Sequence, residues 1–547
     1  MIRIINHFFV KRVTIRVKFR MRFFILFAFA LSGAAALIYE VAWTRALSLV
    51  LGSTTYALST MLSTFMAGLA IGGFIGGRIA DRAKNLLLYF GLAEFFIGLT
   101  GLLTIPLINA IPGLYVTVYR DYHLTPGVYF IFQFLLCCLV MIVPTTLMGA
   151  TFPLVSKIIT DTMDRMGRSV GGVYSVNTFG AILGSLSAGF LLIPLAGVKM
   201  TSLTAAGLNI VVALAMIVLA RPKRLIVTVL GGLALFGMVF AGVVSSQEKA
   251  WYVNYYNAFK FEDLNNIGEY EKDHTLLYDK DHAEGRVKLW RSRQGYLTLQ
   301  VGGKSEGGSP ADTATTVLLA YLPIAAHEKA ESLLNIGLGV GVTLTAARHH
   351  VRDVTVAEIN RGVVDAIRTF GLPGLLDGTS VAINDARNYL LLTERTFDII
   401  ASEPSYPSDA GTASLFTADF YRTAKGRLNR GGIFTQWLPY HLLTNEDVTM
   451  MIRTFGSEFE HVYLWRVPHS MDLIMLGSNE PFAHGSDDIV RRVAELNVDG
   501  IPLQYEFSRT PDQIREIVRS RTDIPVNTDD RPSLEFRVAM NLIRDLD

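Results

Sequence analysis

Seven apolar runs, near residues 23 to 43, 56 to 80, 86 to 110, 127 to 156, 170 to 195, 200 to 220 and 225 to 245, fill the first half of the chain. Each holds the roughly 20 residues needed to cross ~30 Å of hydrocarbon. In lipid a backbone must satisfy its own polar groups, so runs of this length fold as helices. The pattern predicts an α-helical membrane bundle of about seven spans over residues 23–245, behind a basic tail at 1–22. A cleavable leader does not suit the first run, because Tyr39, Glu40 and Trp43 follow it where small residues would be wanted.

Orientation follows from the cations, since basic loops are retained on the cytoplasmic side. The tail and the second, fourth and sixth loops carry sixteen Lys and Arg, among them Arg12, Lys18, Arg78, Lys84, Lys157, Arg168 and Arg224, against Arg45, Arg120 and Lys199 on the other side. The chain is expected to be a multi-pass protein of the cell (inner) membrane with a cytoplasmic N-terminus. Seven crossings would put everything after residue 245 outside the cytoplasm. The run at 127 to 156 contains Pro144, so a broken or re-entrant segment there would restore an even count.

Small residues recur in GLAIGGFIGGRIADR (68 to 82) and GAILGSLSAG (180 to 189), which predicts close helix packing. The GGRIADR stretch also resembles the loop between the second and third helices of major-facilitator transporters. Glu40 and Glu94 are carboxyls within or at the edge of spans, where either a polyamine or proton site or an interhelical hydrogen bond is expected. Cys137 and Cys138 are adjacent in an apolar run, so neither a disulfide framework nor a thiolate metal site can be built from them.

Charge separates the two halves. Up to residue 245 there are 19 Lys and Arg against 6 Asp and Glu, and beyond it 31 against 42, although the whole chain carries only +2. A cationic apolar object is joined to an acidic one. Neither resembles a nucleic-acid binder, and a chain with 50% apolar and 18% charged residues is neither disordered nor collagen-like.

Residues 246–274 form a linker in which Trp251, Tyr252, Tyr255 and Tyr256 suit a membrane-interface belt. From 275 to 310, alternating apolar and polar residues with turns at Gly285 and Gly295 predict a small β-meander. Over 311–547 strands and helices then alternate, which predicts α/β architecture, a doubly wound parallel sheet, with Gly431-Gly432 as a turn before a late strand.

Gly337, Gly339 and Gly341 follow the strand LLNI and open a helix, where backbone can approach a nucleotide-like ligand. Glu358 ends the next strand, 17 residues after Gly341, placed to accept from a ribose diol. Asp385, after the third strand, can accept from an adenine amino group. Dinucleotide sites want GxGxxG, whereas GxGxG with acids at the second and third strand ends points to an S-adenosylmethionine-like ligand. The fourth strand ends in Ser402-Glu403-Pro404-Ser405-Tyr406-Pro407, where a carboxylate could take a proton from an attacking amine. His349-His350 reads as a solvated helix end, and no metal-ligand spacing is present in the sequence.

Residues 275 to 480 resemble the spermidine synthase (polyamine aminopropyltransferase) family through LLNIGLGVGVTL, VTVAEINRGVV, INDARNYLL, FDIIASEPSYP and SLFTADFYRTAKGRLNRGGIFTQW, with NTDDRPSLEF near the C-terminus. FALSGAAALIYEVAWTRALSLVLGSTTYALST resembles the membrane half of a fused branch of that family. The resemblance implies an S-adenosylmethionine-dependent transferase fold that moves an aminopropyl or aminocarboxypropyl group to a small-molecule amine, releasing methylthioadenosine. The co-substrate implied is S-adenosylmethionine or its decarboxylated form, with no metal; the partners are the amine and the lipid bilayer, with a homodimer open and no nucleic acid. It further implies that Gly337, Gly339 and Gly341 line the donor, Glu358 holds the ribose, Ile359 faces adenine, Asp385 and Ala386 read its edge, and Glu403 is the base. Glu306, Asp312 and Tyr406 would line the amine pocket.

The pattern departs from the family at the amine half. Val340 replaces an acid that should grip the donor's amino end, Thr315 and Thr316 stand where Tyr and His are expected, and Tyr406 replaces a second acid. Methyl transfer or cyclisation of the donor, and a non-catalytic polyamine or nucleoside sensor or transporter, therefore stand as alternatives. The donor's cytoplasmic origin argues for a cytoplasmic domain and the span count for an external one.

Overall fold

Helices make up most of the described residues before 246 in the computed structural model, which describes residues 2–122, 126–160, 166–222, 225–245, 272–308, 310–497 and 500–541. Contacts divide the chain into a helical unit and an α/β unit. The aromatic exit segment at 251–256 lies outside the described residues.

The helical unit contains α1 (Ile2–Leu51), α2 (Thr55–Arg82), α3 (Leu86–Tyr122), α4 (Pro126–Ile159), α5 (Met166–Ser187), α6 (Ile193–Ala220) and α7 (Leu225–Ser245), with a π-helical turn, Ala188–Leu192, between α5 and α6. Among the described residues five stretches are long and apolar enough to cross a membrane: Arg20–Leu49, Thr55–Arg82, Leu86–Ile111, Phe130–Ile159 and Met166–Ala220. The fifth has 55 residues. As one straight rod it would be ~80 Å long, far beyond one crossing. Gly197, at φ 77° and ψ 169°, breaks it between the runs at 170 to 195 and 200 to 220. The last run is helical, but only Val229–Ser245 of it counts as an apolar helix, and a short one.

The expected interruption at Pro144 is corrected, since α4 runs unbroken through both Pro144 and Pro153. Beside Pro144 the Thr145 hydroxyl donates to Met141 O at 2.6 Å, within the same helix. Many large apolar side chains face outward, including Phe190 at 82%, Leu195 at 77% and Met238 at 74% exposed, a surface that suits lipid rather than water.

Small residues set the helix spacing. A Cβ on Gly68 or Gly72 would overlap Thr145 or Thr146 of α4, and one on Gly76 would lie 2.6 Å from Ala150 Cα. Gly180 and Gly184 of α5 press on Ala30 and Ala34 of α1 in the same way. Glu94 is buried on α3, accepting from Ser32 of α1 at 2.5 Å and Asn209 of α6 at 2.7 Å. Of the two expectations for this carboxyl, the interhelical hydrogen bond is the one the geometry shows.

The α/β unit opens with an antiparallel sheet of β1 (His274–His282), β2 (Gly285–Ser292), β3 (Leu297–Val301) and β4 (Lys304–Ser305) in that order. Next comes α8 (Pro310–Ala326), whose residues Val317 to Leu322 are all buried, so the helix is apolar on every side. Its 17 residues are too few to span a bilayer, and it serves as a core helix.

The large sheet comprises β5 (Ser332–Ile336), β6 (Asp353–Glu358), β7 (Ser380–Ile383), β8 (Phe397–Ser402), β9 (Leu428–Pro439), β10 (His461–Val467), β11 (Asp472–Ser478) and β12 (Glu506–Arg509), in the order β12-β10-β11-β9-β8-β5-β6-β7. β7, β6, β5, β8 and β9 pair in parallel, while β11 pairs antiparallel with β9 and β10, and β10 with β12. The all-parallel expectation is thus corrected to a mixed sheet, because β10 and β11 follow one another through a short Pro468–Met471 turn and can only pair head to tail. Gly431, at φ 71°, sits inside β9 as an irregularity rather than as a turn before it.

Candidate active site

Strand order decides where ligands can reach the sheet. From β5 the chain builds outward through β6 and β7 on one side and β8 and β9 on the other, so the order reverses between β5 and β8. Open α/β sheets bind ligands at the carboxyl ends of strands beside such a switch point. Register brings the predicted residues there in a row: Ile336 pairs with Ser402 and Ala357, and Glu358 with Ile383. Gly337, Glu403, Glu358 and Asn384 therefore leave adjacent strands at one edge.

The glycine loop adopts backbone that side chains resist, with φ of 87° at Gly337, 54° at Gly339 and 87° at Gly341. A Cβ on Gly337 would also stand 2.8 Å from the Glu403 carbonyl oxygen, so the first glycine is where the switch-point strands come closest. Asn335 donates from Nδ2 to Gly337 O at 2.8 Å and holds the start of the loop. Gly341 then caps α9 (Val342–Arg348).

Glu358 is 7% exposed and accepts backbone N–H bonds from Leu338 at 2.9 Å and Asn360 at 2.8 Å. Burial raises its pKa to about 6, and those two N–H groups oppose the rise. The carboxylate therefore braces the glycine loop, and each oxygen keeps a second lone pair for a diol. Asp385 caps α10 (Ala386–Leu392) by accepting from Asn388 N–H at 2.9 Å, and Ala386 is buried. Two large apolar side chains, Ile359 at 51% and Ile383 at 47% exposed, flank these acids and offer apolar surface to a flat ring. The residues present fit a nucleoside.

Glu403 lies beyond β8, with Thr343 Oγ1 at 3.0 Å. Thr343 Oγ1 also lies 2.8 Å from Thr316 O, and its one proton can serve only one of the two acceptors. Donation from Thr343 to the Glu403 carboxylate favours its ionised form. Burial first, and the charges of Asp472, Asp312 and Glu306 after it, push the Glu403 pKa to about 8, against a smaller lowering by Thr343.

Four carboxyls thus converge. Asp472 is buried, accepts from Thr315 Oγ1 at 2.7 Å, and has its pKa raised by burial against hydrogen bonds from Ser470, Thr315 and Trp437. Glu306 accepts from Ser405 Oγ at 2.9 Å and pairs with Lys304 Nζ at 3.2 Å; its pKa too is raised by burial, which Lys304 opposes. Lys304 Nζ lies 2.5 Å from Ser405 Oγ and is paired with Asp409. Burial disfavours its charge, but Asp409 and Glu306 more than offset this and hold the ammonium charged. The Tyr406 ring lies 5.9 Å from Trp437 and 6.2 Å from His441.

Asp472, Lys304, Asp409 and Thr343 were not among the residues singled out from sequence. Asp472 had a signal, because it is the lone acid opening the otherwise apolar DLIML. Lys304 had none, since a lysine at the end of a polar hairpin reads as a solvated one.

Residues 313–476 match the family model described as spermine/spermidine synthase domain. Polyamine aminopropyltransferases of Escherichia fergusonii and Shigella sonnei are each 27% identical over 277 residues, covering 48% of this chain and 91% of the relative. Among solved structures, a spermidine synthase in complex with the transition-state analogue AdoDATO aligns at TM-score 0.36 and 18% identity, over 46% of this chain and 85% of that one. Spermidine synthase from Thermotoga maritima aligns at TM-score 0.34 and 19% identity, over 48% and 84%. The segment matched by the family model begins within α8 and ends within β11, so it contains the glycine loop, Glu358, Asp385, Glu403 and Asp472. The C-terminal half of this chain carries a spermine/spermidine synthase domain.

Proposed function

We propose that the chain is a membrane-anchored aminopropyltransferase that uses decarboxylated S-adenosylmethionine and a small amine. The observation that carries this reading is the convergence of Glu403 with Glu306, Asp312 and Asp472 beside the glycine loop. The acid cluster favours a cationic acceptor. It disfavours the intact donor, whose carboxylate would face like charges.

The donor's adenosine would lie along Gly337–Gly341, Glu358, Ile359, Asp385 and Ala386, with its sulfonium toward Glu403. The neutral amine nitrogen attacks the methylene carbon next to sulfur. The new C–N bond forms as the C–S bond breaks, sulfur leaves with the electron pair as neutral methylthioadenosine, and the proton released from nitrogen passes to the Glu403 carboxylate. Positioning and selection of the neutral amine supply most of the rate. Asp312 and Asp472 attract the amine, and Tyr406 and Trp437 wall the pocket.

The apolar outer surface of the first unit and its five long apolar helices support the anchor. Because the donor is made inside cells, we place the domain in the cytoplasm, which requires an even number of crossings.

Mass spectrometry of nucleoside products tests the reading, with detergent-purified full-length protein given either sulfonium donor and an amine. Methylthioadenosine from the decarboxylated donor, abolished in Glu403→Gln, is the expected result. Adenosylhomocysteine would mean methyl transfer instead, and donor binding without turnover would mean a sensor.

A further inference from the structure

Lys304 puts a cation of the protein's own inside the acceptor pocket. Its side chain is 10% exposed, and its ammonium meets Ser405 Oγ at 2.5 Å, Glu306 Oε1 at 3.2 Å and the Asp409 carboxylate, with the Tyr406 ring 5.8 Å away. Two carboxylates, a hydroxyl and an aromatic face are a set of groups suited to one end of a free diamine. Ser405 and Tyr406 follow Glu403 by two and three residues on one loop, so this set stands next to the reacting end.

A diamine carries two charges into the site. One end must be neutral to attack and gives its remaining proton to Glu403 as the C–N bond forms, and the other must find an anion of its own. With Lys304 in place, Glu306 and Asp409 are already neutralised, and a second ammonium there would meet a like charge at short range in a poorly solvated pocket. What remains for an acceptor is a single acidic end, Glu403 with Asp312 and Asp472, and beyond it the rings of Tyr406 and Trp437.

We infer that Lys304 is a tethered ammonium occupying the distal cation place of the acceptor pocket, so that this domain takes an amine with one cationic end and an uncharged body. This rests on the aminopropyl-transfer reading of the same site.

The test uses the full-length protein with decarboxylated S-adenosylmethionine and length-matched acceptors, butylamine against putrescine and pentylamine against cadaverine, with methylthioadenosine as readout. The wild-type protein is expected to prefer the monoamine by about tenfold or more in kcat/KM, and Lys304→Met to shift that ratio toward the diamine by about tenfold or more, the scale of one like-charge contact. Wild-type turnover of putrescine equal to or above that of butylamine overturns the inference, as does a ratio unmoved in Lys304→Met. If that variant does not fold, the wild-type ratio still decides. Methylthioadenosine from no acceptor at all is a separate outcome: it brings down the transferase reading itself, and the inference with it.

Discussion

In the proposed reaction the chemistry turns on one proton, that of Glu403. Its pKa of about 8, against an ordinary value of 4.5, means that the folded protein holds this proton more tightly than the unfolded chain does. The resulting stability is fully present below about pH 4.5 and is lost as pH rises through about 8. Glu403→Gln, which keeps a donor for Thr343 without a charge, should therefore unfold at a higher temperature than wild type at pH 9 and at a similar one at pH 4, with a difference on the order of a few kcal/mol at the alkaline end. Turnover should move the other way. An ionised base is needed, so wild-type kcat/KM should climb as pH passes about 8, and Glu403→Gln should lose ~10²–10⁴-fold above that pH and progressively less below it. Gly337→Ala should be costly for two separate reasons, a φ of 87° and a Cβ 2.8 Å from the Glu403 carbonyl oxygen. About 1–3 kcal/mol of stability and most donor affinity should go with it, as measured by thermal unfolding and nucleoside binding. These residues were legible because their signals are local: a strand, a glycine turn, an acid at a strand end. Asp472 belongs equally to the site, but it lies 69 residues after Glu403 and arrives only through pairing of its strand with β9.

Elements show the same division. The glycine spacing of α2 and α5 announces close helix packing, and Gly72 and Gly184 do press against the backbone at Thr146 and Ala34. Gly184→Leu should separate α5 from α1 and lower the thermal midpoint of the detergent-solubilised protein, whereas Gly189→Leu, whose added Cβ would meet nothing within 4 Å, should leave it nearly unchanged. Similar loss in both variants would remove packing as the reason for the small residues. Elsewhere a local signal misled. Gly431-Gly432 has the composition of a turn, yet it becomes an irregularity inside a 12-residue strand, because extension to Pro439 lets β9 bond β8 on one side and β11 on the other. Pro144 likewise reads as a break, but α4 absorbs it.

At the scale of the whole molecule, parity of the crossings is the open variable of the proposal. Sixteen of nineteen cations before residue 245 fall on the side assigned to the cytoplasm, and a cytoplasmic donor requires the C-terminal half to return there. A C-terminal fluorescent protein should therefore glow in cells and a C-terminal alkaline phosphatase stay inactive; the reverse pattern would exclude a cytoplasmic donor. The sequence by itself determined that the chain is two unlike objects, that the second alternates strands with helices, and that a glycine loop and acids end successive strands. Hydropathy, periodicity and turn chemistry are properties of neighbours along the chain, so they can be read without a fold. Only the tertiary structure decided that the sheet is mixed, that Asp472 and the Lys304–Glu306–Asp409 group join Glu403, and that burial lifts the Glu403 carboxyl to a pKa of about 8. Desolvation and Coulomb interactions depend on neighbours in space, and those are created only when distant strands pair.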